Sequence, residues 1–198
     1  MTLAEPFVGS AVRLVAVGIN LGVAPQDGDP SRLSLVVRLG RQHIELLESD
    51  ARLWIGAAAP QRMNDYLQAM RERHSVEVPE LIAKLRGDGL LLEYPEVPGE
   101  GLSRFERLRL QPHARTLGVD PEYSSRYRLV SSTGQPLAAV DGVLFSVWAA
   151  SDGRSLFEVC AEVAVRMRLP RDRILTHVVE NLGLLVSSGA SSLDVVPG

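Results

Sequence analysis

Lysine is nearly missing from this chain: Lys84 is the only one among 198 residues, and every other formal side-chain cation is an arginine. Cysteine is as scarce. The single Cys160 excludes an internal disulfide and cannot by itself build a thiolate metal site. It sits in Leu156-Phe-Glu-Val-Cys-Ala-Glu-Val, on an apolar helical face, and reads as a small core residue. The four histidines, His43, His74, His113 and His177, are scattered, with no His-x-x-x-His or Glu-x-x-x-His pairing. Neither a metal nor another cofactor is expected. No apolar run reaches the roughly 18 to 20 residues of a membrane span, and no basic start followed by an apolar core marks a secretion signal. The expected setting is cytoplasmic, with no membrane partner.

Charge excludes as much. The formal net charge is −3, so no overall field favours nucleic acid or an anionic surface. The first hundred residues carry 10 basic and 14 acidic groups and the remainder 11 and 10, so neither half is a basic module. Phosphate-binding glycine loops and a Gly-x-Ser-x-Gly elbow are missing as well. Glu158 and Glu162 share a helix face but read as exposed like charges. The chain is expected to be non-enzymatic.

What is present is a pattern given twice. Residues 11–24 read as one or two strands broken near Gly18, and Pro25-Gln-Asp-Gly-Asp-Pro30 as a turn. Arg32 to Leu39 and Gln42 to Leu47 then form a hairpin around Gly40-Arg41. Ser49-Asp50 offers a helix cap, and the following helix carries Leu53, Trp54 and Ala57 inward. A second helix, about 63–73, has Tyr66, Leu67 and Met70 at helical spacing. A third, about 79–86, opens on Pro79 and has Leu81, Ile82 and Leu85 as its stripe. Gly87 or Gly89 ends it, and Leu90 to Tyr94 is a strand. Residues 95–103 read as linker, and Arg104 to Leu110 as a strand or a short helix.

The second passage repeats the first. Ser124 to Val130 and Gln135 to Val140 are a strand pair. Asp141 caps a helix holding Leu144, Phe145 and Trp148. Helices follow at 155–167 and 171–181, then Gly183 as a stop and Leu184 to Val186 as a strand. Arg32-Leu-Ser-Leu-Val aligns with Arg126-Tyr-Arg-Leu-Val at the displacement, about 94 residues, that also aligns Gly89-Leu-Leu with Gly183-Leu-Leu. The expected architecture is α+β: two tandem winged-helix-like domains, each a small antiparallel sheet packed on three helices. Residues 1–96 form the first, with extra N-terminal strands. Residues 97–123 are a linker or connecting strand, and 124–198 form the second domain.

Asp141-Gly-Val-Leu-Phe-Ser-Val-Trp-Ala-Ala-Ser-Asp-Gly-Arg-Ser-Leu-Phe-Glu-Val and the later Leu-Gly-Leu-Leu resemble the PqqD family. This is the small winged-helix module also called the RiPP recognition element. The similarity is best over residues 126–186 and fainter over 32–94, and this chain departs from the family in carrying two copies. The resemblance implies a non-catalytic module that binds a precursor (leader) peptide or partner protein and presents it to a modifying enzyme. An extended peptide would add to an open strand edge beside the third helix. The positions implied are His43, Ile44 and Leu46 with Lys84 and Arg86 in the first copy. In the second they are Gln135 and Leu137 with Arg171, Arg173 and His177. A homodimer is a further expectation. Two alternatives stand beside this. One is a winged-helix transcriptional regulator with its third helix in the major groove, and the other a structural adaptor in a protein assembly. For duplex binding, the segment from Arg104 to Arg128 is the best basic patch, with six arginines against three acids.

Overall fold

A computed structural model describes residues 12–26, 29–73, 78–95 and 102–196. Among them the protein is mixed α+β, with seven α-helices and four small antiparallel sheets. The chain divides into two compact units between Val97 and Pro98.

The first unit opens with β1 (Val12–Ala16), whose Leu14 and Val15 are completely buried. Next comes an antiparallel meander of β2 (Ile19–Gln26), β3 (Asp29–Leu39) and β4 (Gln42–Leu46). Gly18, at φ +111°, makes the corner between β1 and β2. A Cβ there would lie 2.5 Å from Val37 Cγ1, so both the backbone and the packing require glycine. Three helices follow, α1 (Glu48–Gly56), α2 (Met63–Arg73) and α3 (Val78–Gly87), with a two-residue strand β5 (Gln61–Arg62) between the first two. The chain returns as β6 (Leu91–Pro95), so that β1 lies between β5 and β6. The helices bury Leu53, Trp54, Tyr66, Met70, Ile82 and Leu85. The polar ends of the aromatics are satisfied: Trp54 Nε1 donates to Val17 O at 3.0 Å, and Tyr66 Oη to Leu53 O at 2.6 Å.

The second unit follows a similar order, without a counterpart of β5 and with one added helix. A 3-10 turn (Leu102–Arg107) leads into β7 (Leu108–Pro112), then a meander of β8 (Arg115–Val119), β9 (Arg126–Val130) and β10 (Pro136–Asp141). Helices α4 (Gly142–Ala150), α5 (Leu156–Met167) and α6 (Arg171–Glu180) follow, then a short helix α7 (Leu182–Val186) and the returning strand β11 (Ser191–Val195). β11 pairs with β7 as β6 pairs with β1. The joint is the same in detail. Val17 N–H donates to Leu90 O at 2.8 Å in one unit, and His113 N–H to Ala190 O at 2.9 Å in the other. A left-handed glycine precedes each returning strand, Gly89 at φ +76° and Gly189 at φ +75°.

Three expectations are corrected here, and one choice between alternatives is decided. Gly183 does not end a helix before a strand: it lies inside α7, and Leu184 to Val186 are helical. Leu182 and Leu185 are fully buried while Leu184 points to solvent, a helical period that three successive apolar residues disguise as a strand. The true counterpart of Gly89 is therefore Gly189. Asp50 does not cap α1. The helix begins at Glu48 with Leu47 in the cap position and no side-chain bond, and Asp50 lies inside the first turn. Of the two alternatives for residues 97–123, a linker or a connecting strand, the structure has strands at β7 and β8, and the alternation around Leu108 and Leu110 is that of a strand with one buried face. Leu46, expected on a partner-facing surface, is 2% exposed and belongs to the core. His74 and the linker residues 96–101 lie outside the described residues.

Candidate peptide-binding edges

The last strand of each meander lies at the margin of its sheet. β4 pairs only with β3, and β10 only with β9, among the described residues. Such a margin carries a row of backbone donors and acceptors that another strand can complete. Each edge leads directly into the first helix of its unit, and the two junctions differ. At α4, Asp141 Oδ1 accepts from Val143 N–H and Leu144 N–H, both at 2.9 Å. At α1, Leu47 offers nothing.

On β4, His43 is exposed, Ile44 half-buried and Leu46 buried. Gln135 is exposed just before β10, and Leu137 is half-buried within it. The helix α7 packs against β10 and leaves Leu184 49% exposed, whereas the first unit has no such helix after α3.

Most of the cations expected to face a ligand are already engaged. Lys84 pairs with Asp50, and Arg86 with Glu93 at 2.9 Å. His177 Nε2 lies 2.7 Å from Asp141 Oδ2. Arg171 pairs with Asp172 at 3.2 Å and places its guanidinium 4.0 Å from the centre of the Phe157 ring. Arg173 is exposed. Lys84 and His177 thus do the same job in their units, tying the third helix to an acid at the start of the first. Burial alone would raise the Asp141 carboxyl. The amide of Leu144, His177 and the amide of Val143 outweigh it and hold the group below its ordinary value.

Other features are self-contained. Arg109, on β7, donates to Asp194 Oδ2 at 2.6 and 3.2 Å, and Asp194 is completely buried directly opposite it on β11. A shallow cavity of about 410 Å³ between α4 and α5 has Phe145, Ala149 and Ala150 as apolar lining. Its charges neutralise one another, with Arg154 bound to Asp152 and Glu162, and Arg166 to Glu162. Cys160 is buried, and burial pushes its thiol up to about 12, so it is not poised as a nucleophile. No group of three or more metal-ligating side chains occurs among the described residues, and none of their helices is long and apolar enough to cross a membrane.

Sequence reasoning singled out the arginine-rich run from Arg104 to Arg128 but not how it divides. Strand register turns Arg109 into a buried pair and sets Arg115, Arg126 and Arg128 on one sheet face. No protein-family model, curated protein or solved structure matches the chain.

Proposed function

We propose that this chain is a non-catalytic binding module made of two winged-helix-like units. It captures an extended segment of a peptide or partner protein by strand addition and presents it, in the manner of a precursor-peptide recognition element, to a modifying enzyme. The observation that carries this reading is the outer margin of β4 and β10, unpaired among the described residues and at the same place in both units. Backbone bonds to an added strand would supply affinity, and the flanking side chains selectivity.

A DNA-binding regulator ranks lower. Its third helix would have to offer free cations to phosphates. On α3, Lys84 and Arg86 are held in ion pairs, and on α6 His177 and Arg171 are likewise engaged, which leaves the exposed Arg173 as the remaining cation of these two helices. A purely structural adaptor would use the same edges with a folded partner.

Calorimetric titration of the intact chain with extended peptides tests the reading. A binder should lose essentially all affinity when prolines replace alternate residues, because those positions then lack the N–H that a ladder needs. Undiminished binding of the proline peptide rules out strand addition. Duplex binding with a steep salt dependence and no peptide binding favours the regulator.

A further inference from the structure

We propose that the β10 edge selects an acidic extended segment, whose carboxylates at alternate positions lie over an arginine-lined face of the second unit's meander. This rests on the strand-addition reading above and names the chemistry of its ligand.

Residues directly opposite in an antiparallel sheet share a face, as do alternate residues along a strand. Arg128 lies opposite Ala139, Arg126 opposite Asp141, and Val130 opposite both Arg115 and Pro136. Arg115, Arg126 and Arg128 therefore project from one face. The other face carries Leu129 and Val140, each 1% exposed, and Tyr127, which stacks on Phe145 of α4 at 4.0 Å. The arginine face is thus the one turned away from the Phe145 ring, and it is covered at one end, where Val130 is 3% exposed. Arg115 and Arg126 are exposed and Arg128 is half-buried.

None of the three has a carboxylate partner among the described residues. The Arg126 guanidinium lies 5.5 Å from the Tyr123 ring centre. Two acids border this face: Asp141 is occupied by two backbone amides and His177, and Asp120, whose N–H donates to Arg126 O at 2.8 Å, accepts from the amides of Glu122 and Tyr123. Between Arg128 and the open margin stands only the exposed methyl of Ala139. Neighbouring strands lie about 4.8 Å apart, so the Cα of a residue added opposite Ala139 would lie roughly 10 Å from that of Arg128. An arginine and a glutamate reaching toward each other close that gap. Arg126 stands two positions along β9, which sets the second carboxylate two residues along the incoming strand.

The first unit lacks this arrangement. The matching face of its meander carries Ser34, Val36 and Arg38 opposite Ala24, Glu45 and His43, and Glu45 accepts from Ser34 at 3.2 Å. Two arginines one strand in from a bare margin, with Arg115 farther off on β8, suit a peptide better than a duplex, which needs a longer track of cations to hold its phosphates.

Fluorescence anisotropy of the intact chain tests this, using a labelled peptide of alternating glutamate and valine and its glutamine-for-glutamate twin. The glutamate peptide should bind at least about tenfold more tightly in low salt, and the advantage should shrink in high salt. Arg128→Gln and Arg126→Gln should each reduce that advantage while leaving the glutamine peptide's affinity unchanged. Arg128→Lys, a milder change that guards against misfolding, should retain much of it. Equal binding of the two peptides, or an advantage that survives all these variants, would sink the arginine-face inference and leave strand addition standing. If neither peptide binds, both fall. Duplex DNA bound in preference to the glutamate peptide, and weakened by the same variants, would make this a nucleic-acid surface instead.

Discussion

The two units share geometry and differ in the chemistry of each point that holds it. Both pair an opening strand with a returning one, in matching register and with the same joint hydrogen bond. Across that ladder the first unit sets Arg13 opposite Tyr94, and the second sets Arg109 opposite Asp194. Burial lifts the Tyr94 phenol to about 12 against the pull of Arg13, so this contact joins a cation to a neutral group. The second unit holds a buried ion pair instead. The third helix is tied down by Lys84 in one unit and His177 in the other, and the first helix starts at Leu47 in one and Asp141 in the other. Helix α1 carries Glu48 and Arg52 outward as an ion pair, whereas α4 has no charged residue. The backbone plan therefore tolerates exchange of most polar contacts and the loss of one: Trp54 Nε1 bonds Val17 O, whereas Trp148 Nε1 is buried without a hydrogen-bond partner among the described residues. The open margins of β4 and β10 are among the features both units keep.

The largest expected effect lies at the ladder. Asp194→Ala should cost about 3–5 kcal/mol, because it strands the buried Arg109 charge. Tyr94→Phe, at the matching place, should cost only about 1 kcal/mol, the worth of one hydrogen bond. Native-state hydrogen exchange reads the two units separately, and equal losses would erase the distinction. Next come the glycines. Gly89→Ala and Gly189→Ala should each cost about 1–2 kcal/mol, since an L side chain resists a left-handed backbone. Nothing lies within 4 Å of a Cβ at Gly189, so the penalty there is one of backbone alone. Gly183→Ala, in a helix, should be neutral or stabilising. A large loss at Gly183 and none at Gly189 would reverse the alignment of the units.

The caps give smaller effects. Asp141→Ala should destabilise by about 1 kcal/mol, and Leu47→Asp should stabilise by a similar or smaller amount, by supplying the missing acceptor. If Leu47→Asp destabilises, the first unit's junction is not an uncapped version of the second's. The smallest effect is on acid stability. The native Asp141 carboxyl lies below its ordinary 3.8. Its contribution is complete above that value and is lost as pH falls from there through the depressed native one. Asp141→Asn should therefore flatten the acid limb of a pH–stability curve below about 4, and an unchanged limb would mean that Asp141 is not a source of it.

Much of this fold was legible in local pattern. Leu53, Trp54 and Ala57 were readable as an inward stripe, Gly40-Arg41 as a hairpin turn, and Asp141 as a cap, because each is decided within a few residues. What escaped depends on distant partners. The alternation at Leu108 to Leu110 leaves strand and short helix open, a choice that β11 decides, and Arg109 and Asp194 are 85 positions apart. The repeated Gly-Leu-Leu at Gly89 and Gly183 misled because α7 is inserted before the returning strand of the second unit. Its leucines are apolar in either conformation, and only burial tells them apart. At the candidate site, the edge position of β4 and β10 followed from strand order. The engagement of Lys84, Arg86 and His177 did not, since their acids come from other elements. Three arginines on one face became visible only through register.

Backbone hydrogen exchange along β10 and β4, with and without a saturating extended peptide, tests the central claim most directly. The outward amides of at least one edge should exchange quickly in the free protein and become strongly protected in the complex, while the amides facing β9 and β3 stay protected throughout. Outward amides already protected in the free chain, or left unprotected by a bound peptide, would contradict strand addition.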